Sequence, residues 1–347
     1  MINSFVMENL PLVSILMPVY NGREYLRPAI DSLLEQTFRN FELIIVNDGS
    51  KDDSQDIIDS YNDARIVSLK QENQGVARSL NNGLKVAKGK YVRRHDADDI
   101  STPDSLQIQV DFLESHPDYV MVCNQQAFMT SNGKIAKNHR VPRNKFFGGK
   151  MLKDLTFDDF SASASSPVVH GTACYRKLEV LEAGCYRPEF IVAEDNDLWL
   201  RLLEKSKIAV LSDCTYFMRI HGGSATHFHS EKIQHFRNLL ISYAGQRKAT
   251  GYDPIMRGVH IPYAQKKSDQ PSLPQYKPGK YYRDDLRYIY GLYADAGDYS
   301  LLWSVFSEII SDGWKDPRTY KLLLFPLIGS RLISVGVTIK QFFRRIS

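Results

Sequence analysis

The chain has 347 residues, of which 43% are hydrophobic and 24% charged, and its formal net charge is +4 at pH 7. These are ordinary globular values that exclude bulk disorder, and so small a positive balance excludes a dedicated nucleic-acid binder. The four cysteines, Cys123, Cys174, Cys185 and Cys214, form no C-x-x-C pair. They read as buried thiols of a reducing compartment, not as a disulfide frame or a zinc site.

The first stretch, "MINSFVMENLPLVSILMPVYNG", has no basic region before its apolar run, which passes straight into a polar turn, so it does not read as a signal peptide. Strand and helix then alternate. Strands are expected over 12–20, 41–48, 64–71 and 90–96, and helices over 23–37, 51–62 and 75–89. This rhythm predicts βαβ units and a mostly parallel, Rossmann-like α/β sheet flanked by helices. A helix is expected after the fourth strand, with Thr102 as N-cap and Pro103 as its first residue.

Beyond residue 118 the pattern is less regular. Residues 119–129 read as a strand, 130–165 as loops with a short helix, and 168–177 as a strand entering a helix. An amphipathic helix is expected over 193–206, then a long strand or strand pair over 208–226 ending in a Gly-rich loop. From residue 227 the composition turns helical and aromatic. The expected division is one α/β domain over 10–226 and a C-terminal helical extension over 227–347.

Ligands of such sheets bind beyond the carboxyl ends of the strands. Three polar clusters fall there: "PVYNG", "NDGS" and "DADD". No G-x-G-x-x-G follows the first strand and no G-x-x-x-x-G-K-[ST] occurs, which weighs against a dinucleotide dehydrogenase and a P-loop NTPase. The ligand is then held by carboxylates, with a cation, and not by a glycine-rich phosphate cradle. Asp99 fits an ordinary turn or helix-start acid. Asp96 and Asp98, two apart at a strand end, are expected on one face, where a carboxylate pair holds a divalent cation or shares a proton. Arg93 and Arg94 alternate faces, so one of them points into the site.

Taken in order, Pro18-Val19-Tyr20-Asn21, Asp48-Gly49-Ser50, Asp96-Ala97-Asp98-Asp99, Glu194-Asp195 and His221 resemble the inverting nucleotide-sugar glycosyltransferases of family 2, which have the GT-A fold. The resemblance covers roughly residues 12–226. It implies transfer of a sugar from a nucleotide diphosphate donor, UDP-linked, to a hydroxyl of a glycan or lipid-linked glycan. It also implies a Mg2+ or Mn2+ cofactor that offsets the charge developing on the leaving diphosphate. Asp96 then lies near the ribose, Asp98 is a metal ligand, and His221 completes the metal or diphosphate contact. Pro18 and Tyr20 wall the base, with Asn21 in the same loop. Asp48 accepts from a uracil-like base, a role compatible with an Asx turn through Gly49 and Ser50.

In the same resemblance Asp195 is the general base that inversion requires opposite the leaving group. Glu194 orients the acceptor or supports the helix. Trp199, four residues on, packs in the core or stacks on sugar. His170 lines the acceptor side or is a satisfied structural histidine. The family's "ARN" triplet in the third helix is replaced here by "SLNNG", so the Arg contact that the resemblance implies from that helix has no matching residue there, and Arg78, one turn away, is the candidate substitute.

Two other classes were weighed: a nucleotidyltransferase, which wants a basic Gly-rich loop after strand one, and a non-catalytic binding module, which would have lost Asp98 or Asp195. The tail "YKLLLFPLIGSRLISVGVTIKQFFRRI" is interrupted by Pro326, Arg331 and Lys340 and does not span a bilayer. It reads either as a surface-lying anchor on an anionic membrane or as a helix packed on its own domain. The expected location is cytoplasmic, with attachment at the cytoplasmic face of the membrane if the tail is an anchor.

Overall fold

A computed structural model describes residues 10–133, 152–162, 166–221 and 225–258, with the backbone alone over 225–234. The tail at 320–347 and the rest of the C-terminal region beyond 258 lie outside the described residues.

The elements in order are β1 (Val13–Val19), α1 (Leu26–Leu34), β2 (Phe41–Asp48), α2 (Ser54–Asp59), β3 (Ile66–Gln71), α3 (Val76–Val86), β4 (Tyr91–Arg94) and β5 (Ile100–Ser101). They continue with α4 (Ser105–Ser115), β6 (Tyr119–Met129), β7 (Leu152–Asp154), α5 (Phe157–Ser161), a 3-10 turn (His170–Thr172) and β8 (Ala173–Arg176). Then follow α6 (Lys177–Glu182), α7 (Glu194–Leu203), β9 (Lys207–Arg219), α8 (Ala225–Thr250) and a second 3-10 turn (Ile255–Arg257).

Among the described residues the sheet runs β3-β2-β1-β4-β8-β6-β9-β5, with β7 paired to β9. The pairs β1·β2, β1·β4 and β2·β3 are parallel. The pairs β4·β8, β6·β8, β5·β9 and β7·β9 are antiparallel. The α/β class is as the sequence implied, and its parallel part is confined to the first four strands, where each crossover carries a helix. Strands β1 and β2 are near-continuous apolar runs because helices cover both their faces. Each face has its own apolar cluster. One is built around Leu16, Ile44, Leu80, Tyr175 and Trp199, the other around Ile15, Ile30, Ile45, Leu106 and Val122.

The helix after "DADD" begins at Ser105, not at Pro103. Residues 100–101 are drawn into the sheet as β5, and Thr102 N–H donates to Thr215 O at 3.0 Å. The carbonyl of Pro103 accepts from Thr37 N–H at 2.7 Å. The sheet thus holds Thr102, and residues 103–104 form a turn before the helix. Thr102 Oγ1 instead donates to Asp104, which stands at the N-cap.

The described residues fall into two compact units. The first holds residues 10–126, 152–162, 166–218 and 229–258; the second holds 127–133, 219–221 and 225–228. Within the second, Ile220 N–H donates to Met129 O and Arg219 Nη1 to Ser131 O, both at 2.9 Å. No helix among the described residues is long and apolar enough to cross a membrane.

Candidate active site

The rim of the parallel strands is knitted loop to loop. Asn21, in a left-handed backbone conformation at φ 52°, donates its N–H to Ser50 Oγ at 2.9 Å and accepts from Lys51 N–H through Oδ1 at 2.8 Å. Gly22 N–H donates to Ser54 Oγ at 2.9 Å. The β1 and β2 loops therefore hold each other, and Tyr20 is left 46% exposed beside half-buried Pro18.

The turn through Gly49 and Ser50 is made by Asn47, not by Asp48: Asn47 Oδ1 accepts from Ser50 N–H at 2.9 Å. Gly49 sits at φ +75°, and a Cβ there would lie 2.7 Å from Asn73 N, so glycine is required. Asp48 turns the other way. It accepts from the backbone N–H groups of Gln74 and Gly75, each at 2.8 Å, and from Gln71 Nε2 at 2.7 Å. Burial pushes its carboxyl above the usual range, against the pull of those hydrogen bonds. Asp48 thus fixes the loop that starts α3.

At the end of β4 the two arginines do take opposite faces. Arg93 is fully buried and donates to Ser105 Oγ at 2.6 Å and Ser101 Oγ at 2.9 Å. Arg94 pairs with Asp96. Strand β4 ends at Arg94, so strand alternation does not set the positions of Asp96 and Asp98; a turn at 97–98 does. Asp96 accepts from the Tyr216 hydroxyl at 3.0 Å, and its own N–H donates back to that hydroxyl at 3.2 Å. Asp98 is half-buried and Asp99 is buried. This packing leaves no room beside it: a Cβ on Gly171 would stand 1.9 Å from the Tyr216 oxygen and 2.8 Å from Asp96 Oδ2.

The second acidic group opens α7. Ala193, the residue before the helix, is left-handed at φ 61° and ψ 23°, a conformation unfavourable for any residue with a Cβ. Asp195 Oδ1 accepts from Asn196 N–H at 2.7 Å and from Asn196 Nδ2 at 2.9 Å. One carboxylate oxygen is thereby held. Glu194 is 7% exposed. Burial, then the neighbouring Asp195 charge, pushes its carboxyl well above the usual range, with Arg94 opposing. Asp195 is raised by burial and held down by the Asn196 hydrogen bonds, Arg94 and Arg237. Two adjacent carboxyls in a low-dielectric site cannot both ionise freely. The better-compensated one, Asp195, is the one suited to be ionised.

His170 lies against this pair, its Nδ1 3.8 Å from Glu194 Oε1 and its Nε2 2.9 Å from the Tyr186 hydroxyl. Burial and the Arg94 charge keep the imidazole neutral. Trp199 is fully buried, edge-on to His170 at 5.6 Å between ring centroids, and so packs in the core. His221 is half-buried and belongs to the second unit. Among the described residues no three His, Cys, Asp or Glu side chains are gathered at metal-ligating range.

The first unit therefore gathers Asp96, His170, Glu194 and Asp195 around one buried cation, Arg94, whose charge acts on both acidic clusters. Tyr216, Gly171, Asn196 and Arg237 are functional neighbours that sequence reasoning missed. Only Asn196, inside "EDND", carried a local signal.

The Glycosyl transferase family 2 profile matches residues 14–182, a span that includes Asp48, Asp96, Asp98 and His170 and stops short of Glu194. An uncharacterized glycosyltransferase of Rickettsia prowazekii is 31% identical over 249 residues, covering 71% of this chain and 75% of that protein. Another, from Rickettsia bellii, is 48% identical over 205 residues, covering 57% of this chain and 28% of that one. Among solved structures, S. aureus TarS 1-349 in complex with UDP matches at a TM-score of 0.51 and 18% identity, over 86% of this chain and 88% of that one. The same TarS segment in complex with UDP-GlcNAc matches equally well, at a TM-score of 0.51. The chain belongs to glycosyltransferase family 2, and its fold is that of the GT-A enzymes.

Proposed function

We propose that this glycosyltransferase inverts the anomeric centre of a UDP-linked sugar while transferring it to a hydroxyl of a glycan or lipid-linked glycan, with a divalent metal. The observation that carries the reading is Arg94, which pairs with Asp96 on the donor side and acts on Glu194 and Asp195 on the other. The donor end and the base thus face each other across one guanidinium. The binding of UDP and UDP-GlcNAc by TarS, a protein of the same fold, supports the donor class.

In this reading Tyr20 and Pro18 flank the base, and the Asn21–Ser50–Lys51 lock holds that wall in place. Asp48 borders the base pocket through the loop it braces. Asp96, held by Arg94 and Tyr216, orients the ribose side of the donor. The donor set suits a hard cation: Mg2+ or Mn2+ is commonly held by one or two carboxylates together with substrate phosphate oxygens and water, so a preformed three-residue cluster is not required. Asp98 would hold the ion, and His221 is a further candidate on sequence grounds. When bound, it would neutralise charge on the departing diphosphate. Asp195, with one oxygen fixed by Asn196, takes the proton of the attacking hydroxyl through the other.

The test is UDP release from a panel of UDP-hexoses with and without Mg2+ or Mn2+, repeated with Asp98→Ala. Metal-dependent release that the variant loses while keeping its melting temperature supports the assignment. Full turnover by the variant, or wild-type release indifferent to chelation, overturns it.

A further inference from the structure

His170 meets both the acids at the start of α7 and the buried interior. On one side its Nδ1 lies 3.8 Å from Glu194 Oε1. That is longer than a hydrogen bond, and contacts of this kind often tighten only once substrate is bound. On the other side Nε2 is 2.9 Å from Tyr186 Oη, which is 3.1 Å from Tyr175 Oη. Both tyrosines are essentially fully buried, and Trp199 closes edge-on over the imidazole. A ring so enclosed is fixed in orientation. The phenols inside have high proton affinity because burial disfavours their ionisation, so the chain does not lead a proton away. It ends in the core, and its one outward-facing member is the imidazole nitrogen that meets Glu194.

Groups facing Glu194 come from two elements besides its own. Asp195 is its neighbour on α7, Arg94 and Asp96 face it from the end of β4, and His170 faces it from the 3-10 turn. Arg237 of α8 acts on Asp195. The nearby cations, Arg94 and Arg237, favour ionised carboxyls. A neutral imidazole with a free Nδ1 lone pair favours a protonated one.

We propose that His170 is a positioning residue of the transfer reaction: it holds the proton on Glu194, so that of the two adjacent carboxyls Asp195 alone is ionised and serves as base. Glu194 Oε–H then points at His170 Nδ1, His170 Nε2–H donates to Tyr186 Oη, and Tyr186 O–H donates to Tyr175 Oη. The inference rests on the reading of Asp195 as base but concerns a different proton. It also gives the 3-10 turn two duties. Gly171 makes room for Tyr216 and Asp96 on the donor side, and His170 assigns the proton on the other.

The direct measurement is a 13C NMR titration of the glutamate side-chain carboxyls, with the Glu194 signal assigned by its loss in Glu194→Gln. In His170→Ala, the Glu194 midpoint is expected to fall by about one pH unit or more, since a hydrogen bond to the neutral form is lost. Tyr186→Phe removes one oxygen without changing shape and is expected to move the midpoint the same way by less. His170→Gln, which offers an acceptor, is expected to restore part of the shift. Unchanged midpoints in His170→Ala and Tyr186→Phe overturn the proposal, and a folded Tyr186→Phe with an unchanged midpoint suffices where His170→Ala does not fold. In the pH profile of UDP-hexose hydrolysis, the alkaline limb is expected to move with the NMR midpoint. A uniform loss at every pH marks a merely structural residue and overturns the positioning role. If Asp195→Asn retains turnover while the Glu194 midpoint still follows His170, the base assignment fails and the His170–Glu194 coupling stands.

Discussion

The β1–β4 rim and the N-terminus of α7 hold their acids by different means. On the rim, Asp48 is bonded by two backbone N–H groups and a glutamine, and Asp96 by an arginine and a tyrosine. On α7, Asp195 leans on its own neighbour Asn196, Glu194 is approached by His170 at 3.8 Å, and the residue before both is left-handed. The rim surrounds its acids with donors from other segments, and burial still raises Asp48. The α7 end is organised so that charge is costly, which is what a proton acceptor needs: a carboxylate already satisfied by donors is a weak base.

The sharpest way to break this contrast is Asp195→Asn, which keeps shape and removes basicity. Loss of a general base costs roughly a hundredfold or more in turnover. The Kd for UDP, measured by calorimetry, is expected to stay within about twofold, since in this reading Asp195 does not touch the donor nucleotide. Near-normal turnover would mean that the costly end is not the reacting end. Lost UDP binding would mean that the two sides are not separate.

Next in size is Gly171→Ala. The added carbon falls 1.9 Å from Tyr216 Oη, a buried hydroxyl with no freedom to swing clear. Overpacking of this kind costs about 1–3 kcal/mol. Because the displaced groups are Tyr216 and Asp96, the expected kinetic loss is a rise in donor KM of about tenfold, an amount equivalent to about 1.4 kcal/mol. A rise in acceptor KM alone would move Gly171 to the other side of the comparison.

How much of this was legible differs between the two regions for the same physical reason. The strands β1 and β2 declare themselves because a strand buried on both faces must be apolar throughout, and the expected 41–48 is the observed Phe41–Asp48. The opposite faces of Arg93 and Arg94 follow from strand alternation alone. The helix start after "DADD" was misplaced because Thr102 and Pro103 are held by Thr215 and Thr37, partners 113 and 66 positions away that no local pattern encodes. The contacts of Asp48 with Gln74 and Gly75 reach across a loop and leave no local pattern, and Asn47, not Asp48, makes the turn. The acidic pair on α7 was legible through its motif. The Tyr216–Asp96 contact, spanning 120 positions, and the space under Gly171 exist only in three dimensions.

The cost of charge on α7 can be read from stability against pH. Glu194 is raised from 4.5 to about 8 in the fold, chiefly by burial and then by Asp195. The folded state therefore binds the proton more tightly than the unfolded one. The resulting stability is fully present below the unfolded value and is lost as pH rises through the folded value. Glu194→Gln has no such dependence, so its gain in melting temperature over the wild type is expected to grow from about pH 4.5, levelling off near pH 8. A constant difference across that window would remove the claim that Glu194 is buried as an acid.

The smallest expected effect tests the strain before the helix. Ala193 sits at φ 61°, where a Cβ crowds the following carbonyl and a glycine does not. Ala193→Gly relieves that crowding but gives the unfolded chain more freedom, and the two terms partly cancel. The expected net change is a stabilisation of about 0.5 kcal/mol, measured by urea denaturation. Activity is expected to move the other way, by several-fold in kcat, because the left-handed residue sets the angle at which α7 presents Glu194 and Asp195, and a glycine hinge leaves that angle less defined. Strain retained at a reacting end would then be part of how Asp195 is aimed. Should Ala193→Gly destabilise the fold, the backbone there is held by contacts that outweigh the strain; should it leave kcat unchanged, the angle of α7 is fixed by its packing on the core and not by the residue that precedes it.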